Sequence, residues 1–141
     1  MKRNAAAVWE GGIKDGKGTI SAESGIFNGV PYNFANRFEK QTGTSPEELL
    51  AAAHASCYSM ALSLVLGQSS LVPERIDTTA TVTVKPDADG FTITTVHLEV
   101  HARVPGAGKQ AFDAAANGAK DGCPVSKLFN AEITLDAHLV S

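Results

Sequence analysis

Residues 44–67 read TSPEELLAAAHASCYSMALSLVLG, and this stretch decides the fold. Ser45 is placed to cap free N–H groups, Pro46 suits a first helical position, and Glu48 stands three residues after Ser45, the spacing of a capping box. Glu47 and Glu48 bring negative charge to the positive end of the helix dipole. Gly67 is the expected stop. Between these limits Leu50, Ala53, Cys57, Met60, Ala61 and Leu64 recur at spacings of three and four and share one face. Leu49, Ala52, Ala55, Ser56, Leu62, Val65 and Leu66 make most of the remaining circumference apolar or small. A helix apolar on nearly all sides is expected to be buried from nearly all sides, so this one is predicted to be central.

Upstream, Asn4–Glu10 alternates weakly and holds the one tryptophan, which reads as a strand. A turn cluster at 15–18 (DGKG) and a second alternating run, Gly18–Ser24, complete a hairpin. Asn28-Gly29 marks another turn, followed by a short strand over Pro31–Ala35, at an edge because of its proline. Residues 36–43 (NRFEKQTG) are polar and read as a loop that holds Arg37.

Downstream, Gln68–Arg75 is a connector, and Ile76–Lys85 and Phe91–Val104 are β-branched strands joined by a turn at 86–90. The apolar residues of the second strand do not keep one phase, which predicts a bulge near Thr94-Thr95. Lys109–Asp121 is an amphipathic helix through Phe112, Ala115, Ala116 and Ala119. Gly122 stops it, Pro124 opens a short helical turn, and Glu132–Val140 closes the chain as a strand. Three strands, a helix, two strands, a helix and a strand predict an α+β fold rather than a wound βαβ sheet, in a single domain over residues 1–141.

Composition narrows the function. A net charge of -3 with no basic stripe argues against nucleic acid, and 43% hydrophobic residues argue against disorder. No apolar run reaches the roughly 18 residues of a membrane span. The opening MKRNAAAVWEGG has only a short Ala/Val run, so no signal peptide is read in it and a cytoplasmic location is expected. In that compartment two widely separated cysteines read as reduced thiols.

Those thiols are the candidates for chemistry. Cys57 lies mid-helix, where a cysteine serves equally well as a small core hydrophobe. Cys123 lies between Gly122 and Pro124, where the backbone exposes it. His54 shares a helical face with Cys57, yet no second ligand pair stands at zinc spacing. Glu47 is ten residues before Cys57, about 15 Å along a helix, too far to orient its own chain's thiol. It could do so across a two-fold axis, if the same helix of a second copy crossed antiparallel near residue 52, where alanines permit close approach. The alternative is that the alanines merely favour helix. A reactive thiol must be a thiolate, which a guanidinium favours. Arg37, held by Glu47, is the candidate, against the plainer reading of a solvated arginine.

The runs GTSPEELLAAAHASCYSMAL, GCPVSKLF and WEGGIKDGKGTISAESG, with the terminal ITLDAHLVS, strongly resemble the osmotically inducible protein C branch of the OsmC/organic hydroperoxide resistance superfamily, over almost the full length. The resemblance implies antiparallel sheets around a long central helix in an intertwined homodimer. It implies a thiol-dependent peroxidase of stress defence, acting on organic hydroperoxides better than on hydrogen peroxide. Cys57 matches the peroxidatic cysteine, Cys123 the resolving one, Arg37 the arginine of this branch and Glu47 the carboxylate that holds it. In the sister branch the arginine comes from the first hairpin, which here offers only Lys14 and Lys17. A dithiol reductant, suggested to be a lipoyl group on a carrier protein, restores the thiols, with no metal, flavin or haem. Met60, Leu50, Phe38 and Phe129 would favour alkyl or lipid hydroperoxides. Two other readings stand beside this one: a small-molecule binding protein of the same fold with idle thiols, and a stress-induced scaffold in which only the dimer surface matters.

Overall fold

A computed structural model describes residues 1–39 and 43–140, and the chain divides into two compact units, Met1–Leu49 and Leu50–Ser141. In the first, β1 (Ala5–Glu10), β2 (Lys17–Ala22) and β3 (Val30–Tyr32) form an antiparallel sheet in that order, with β3 at the edge as its proline predicts. Gly18 pairs with both Trp9 and Tyr32, whose rings lie 5.6 Å apart. A Cβ at Gly18 would sit 2.5 Å from the Tyr32 ring, so only glycine admits this approach.

The expected loop after β3 is instead a short helix, α1 (Phe34–Phe38). Asn33 caps it, its Oδ1 accepting from the Asn36 N–H at 2.9 Å. Asn33 is the cap signal that a reading of residues 36–43 as polar loop passes over. Arg37 therefore sits in a helical last turn, while residues 40–42 of the expected loop lie outside those described.

The central helix, α2 (Pro46–Gln68), starts as predicted, with the Glu48 N–H donating to Ser45 Oγ at 3.2 Å. It does not stop at Gly67. It ends with Ser70 in the left-handed region at φ 57 and the Leu71 N–H reaching back to the Leu66 carbonyl at 3.1 Å, a closure in which a serine takes glycine's usual role.

The second unit contains the main core. Strands β4 (Arg75–Asp87) and β5 (Gly90–Arg103) pair antiparallel, and the register shifts between Thr83 and Val84 so that Thr94 is the extra residue, at the predicted bulge. Helices α3 (Lys109–Gly122) and α4 (Pro124–Leu128) lead to β6 (Glu132–Val140), which pairs with β5 in parallel. The expectation of purely antiparallel sheets is thus corrected for this sheet: it is mixed, because two helices between β5 and β6 form a crossover that brings the chain back in the same direction.

Val96, Leu98, Val100 and Ala102 alternate inward from β5. Leu98, Val100 and Ala102 form one core with Tyr58, Leu62 and Leu66 of α2 and with Phe112, Ala115, Ala116 and Ala119 of α3, the four residues predicted for that helix. The buried stripe of α2 is His54, Tyr58, Leu62 and Leu66. It is not the predicted face, for Met60 and Leu64 are 75% and 67% exposed. A helix apolar all round carries no directional signal, so spacing alone could not select which side meets the sheet. By length and composition α2 is also long and apolar enough to cross a membrane, which a search for uninterrupted apolar runs does not register. Its buried stripe lies in the core of the second unit.

Candidate active site

Cys57 occupies the middle of α2, and Cys123 is the single residue between α3 and α4. The N–H of Cys123 donates to the Ala119 carbonyl at 2.9 Å, closing α3, and its carbonyl accepts from the Lys127 N–H at 3.1 Å, opening α4. Gly122-Cys123-Pro124 is therefore a pivot held on both sides. The side chain of Cys123 is fully buried, against the sequence expectation of an exposed thiol; Cys57 is half-buried, and both are free.

The fold brings the two sulfurs together. The Cys57 and Cys123 side chains act on each other, and the Val125 amide, in the first turn of α4, acts on the Cys57 sulfur. Burial pushes the Cys57 thiol above its ordinary pKa, and Cys123 adds to this; the Val125 amide acts the other way. The groups acting on Cys57 thus all come from the second unit, and their net effect opposes the thiolate. Tyr58, beside Cys57 in sequence, is pushed up in the same sense by burial and by Cys123, and its hydroxyl donates to the Ala116 carbonyl at 3.1 Å.

In the first unit Arg37 and Glu47 form the predicted pair. Arg37 Nε and Nη2 lie 2.8 and 2.7 Å from Glu47 Oε1, and the guanidinium stands 5.1 Å from the centre of the Phe38 ring. The carboxylate is largely covered, at 12% exposure. Its Oε2 is buried without a hydrogen-bond partner among the described residues. The competing arginines have other partners: Arg3 with Glu23, Arg75 with Asp77, Arg103 with Glu74.

The chain as a whole is similar to a known group of proteins. The chain matches the family described as OsmC-like protein over residues 39–138. It is 52% identical to the Peroxiredoxin OsmC of Escherichia coli (strain K12), with all of this chain and 99% of the relative aligned. The chain belongs to the OsmC-like family. It is 30% identical to the organic hydroperoxide resistance protein-like 1 of Staphylococcus epidermidis over 69% of this chain and 71% of that one. The OsmC fold is seen as well in an OsmC like protein from Mycoplasma pneumoniae, at TM-score 0.77 and 16% identity, aligned over 100% of this chain and 99% of that one. The organic hydroperoxide resistance protein OhrB of Bacillus subtilis superposes at TM-score 0.68 and 23% identity, over 97% and 98%.

Several residues around the thiol pair carry no signal in the sequence. His54, readable there only as a metal ligand, is wholly buried and bonded through Nε2 to Ser126 Oγ at 2.7 Å, with Phe129 edge-on to its ring at 5.3 Å. Burial holds its pKa below the ordinary value. Among the described residues no group of three metal-ligating side chains occurs. The Val125 amide leaves no sequence signal, because a backbone donor is common to every residue but proline.

Proposed function

We propose that this chain works as a thiol-dependent peroxidase that reduces organic hydroperoxides, and hydrogen peroxide more weakly, to alcohols and water. The observation that carries the reading is the thiol pair: two free cysteines far apart in sequence that the fold brings to act on each other, one partly open to solvent and one sealed. The E. coli relative named Peroxiredoxin OsmC, identical at 52% of positions, points the same way.

Cys57 as thiolate attacks the distal oxygen of ROOH; an S–O bond forms, the O–O bond breaks, and ROH leaves with a proton. The resulting sulfenic acid has Cys123 as the neighbouring thiol. The S–S bond forms as the S–O bond breaks, and the Cys123 proton leaves with the hydroxyl as water. A dithiol reductant, proposed to be a lipoylated protein, returns both thiols by exchange.

In this reading Arg37 stabilises the thiolate and polarises the peroxide, and Glu47 holds Arg37. The site is completed by a second copy of the chain in an intertwined homodimer. Two observations support this. On balance the surroundings of Cys57 within its own unit raise its pKa, and the reading calls for a cation from elsewhere. The side of α2 with Ala53, Ser56, Met60 and Leu64 is exposed in the protomer, and helices with small residues there can approach closely. A match of the family across residues 39–138, which spans the division at Leu49, supports one functional domain. The location proposed is the cytoplasm, where a dithiol pool keeps such thiols reduced.

The test is direct. Cumene hydroperoxide should convert two titratable thiols per chain to one Cys57–Cys123 disulfide, and a Cys57→Ser variant should consume no peroxide. If both thiols stay titratable while the protein binds small apolar ligands, it is a binding protein instead.

A further inference from the structure

A phenylalanine at position 54 would fill the same buried space with no polar atom to satisfy. Histidine places two ring nitrogens where only one finds a partner: Nε2 meets Ser126 Oγ at 2.7 Å, and Nδ1 is buried without a partner among the described residues. Such an orphan is costly, so the position calls for a reason beyond packing. What the ring provides that an apolar side chain cannot is a directional bond from α2 to α4.

The position of that bond is informative. His54 lies one turn before Cys57 on α2, and Ser126 lies three residues after Cys123 on α4. Phe129, just past α4, packs edge-on against the His54 ring. The short helix α4, five residues long, is thus moored to α2 by a side-chain bond and a ring contact just past its end, both near the corner that carries Cys123.

We infer that His54 is a positioning residue for the resolving thiol: through Ser126 it holds the α3–α4 corner against α2, and so sets how readily Cys57 and Cys123 join. This rests on the peroxidase reading for its use in turnover, though not for its measurement. The peroxide step needs only Cys57 and its cation. The condensation needs the second sulfur brought to a bond of about 2.05 Å. A loosened α4 therefore slows the second step far more than the first, which feels α4 only through the Val125 amide, and a Cys57 sulfenate that waits longer is further oxidised to the sulfinic acid.

Three variants test this in the full chain: His54→Phe, Ser126→Ala and His54→Gln, in which the Gln amide restores a polar group near the position of Nε2. The first readout is the equilibrium of the thiol pair with glutathione, which needs no peroxide. His54→Phe and Ser126→Ala should each lower the equilibrium constant for the intramolecular disulfide about tenfold, a shift of about 30 mV for this two-electron couple, with His54→Gln close to wild type. The second readout is rapid mixing with cumene hydroperoxide. The peroxide-dependent phase should stay within about twofold of wild type, and the peroxide-independent phase should slow about tenfold, with more sulfinic acid by mass spectrometry. An unchanged potential in folded Ser126→Ala overturns the inference, as does failure of His54→Gln to recover what His54→Phe loses. Should the wild type not react with peroxide at all, the peroxidase reading fails while the glutathione equilibrium still decides the role of His54. If His54→Phe does not fold, Ser126→Ala carries the same measurement.

Discussion

Arg37 places two nitrogens on one oxygen of Glu47, at 2.8 and 2.7 Å, and leaves the other oxygen of that carboxylate buried and unpartnered among the described residues. An end-on pair of this kind fixes the guanidinium while keeping part of its donor edge free for another acceptor. Replacing Arg37 by Gln should slow the oxidation of Cys57 at pH 7 by roughly 10²-fold, on the scale of removing one charge-stabilising donor. The pH midpoint for alkylation of Cys57 by iodoacetamide should move upward at the same time, because the surroundings of Cys57 in its own unit already favour the protonated thiol. Glu47→Gln should give a smaller change in the same direction. Stopped-flow oxidation and alkylation profiles check both.

The unequal exposure of the sulfurs sets the direction of reductive exchange. Cys123 is sealed and Cys57 is half-buried, so an incoming dithiol should attack the Cys57 sulfur and expel the Cys123 thiolate. Cys123→Ser should therefore still trap a mixed disulfide on Cys57 after oxidation, and should accumulate sulfinic acid under repeated peroxide. Peptide mass spectrometry of the trapped adduct reads the position. A mixed disulfide on Cys123 in the wild type would reverse the assignment.

Stability should fall off on both sides of neutrality for identifiable reasons. His54 has its pKa lowered by burial, so the unfolded chain binds its proton more readily; the stability it contributes is present above the ordinary value of 6.5 and is lost as pH falls through the folded value. Cys57 has its pKa raised, chiefly by burial; its contribution is present below the ordinary value of 9.0 and is lost as pH rises through the folded value. Urea unfolding of the reduced protein should show the acid limb flattened in His54→Gln and the alkaline limb flattened in Cys57→Ser.

The core should be sensitive to truncation where α2 faces the second unit's sheet. Leu62 is fully buried among Tyr58, Leu98 and Phe112 in that core, so Leu62→Ala should cost about 2–5 kcal/mol. Tyr58→Phe, which removes the hydroxyl bonded to the Ala116 carbonyl, should cost about 0.5–1.5 kcal/mol, the net worth of one hydrogen bond, since that carbonyl is inside α3. Denaturant midpoints at constant m-value measure both.

The exposed side of α2 tests the proposed dimer. Met60→Glu or Leu64→Glu puts a charge on a surface that is open in the protomer, at 75% and 67% exposure, and should leave the fold of one chain intact. In a two-fold assembly each substitution is present twice, so sedimentation should show the monomer and peroxide turnover should drop at least about tenfold.

Local chemistry was legible in the sequence because it is carried by near neighbours. The Ser45-Pro46 start of α2, the turns of both hairpins, the bulge at Thr94 and the buried quartet of α3 all follow from spacings within a few residues. The OsmC-like family was legible too, through a resemblance covering nearly the whole chain, and so was the pairing of Arg37 with Glu47. What only the tertiary structure decided was orientation and company. It selected the His54–Leu66 stripe of α2 over a face equally apolar, turned β6 parallel to β5, and sealed Cys123. It also set Ser126 against His54 and one thiol against the other. These outcomes depend on burial summed over segments far apart in the chain, and a periodicity that is nearly uniform around a helix has no term that could choose among them.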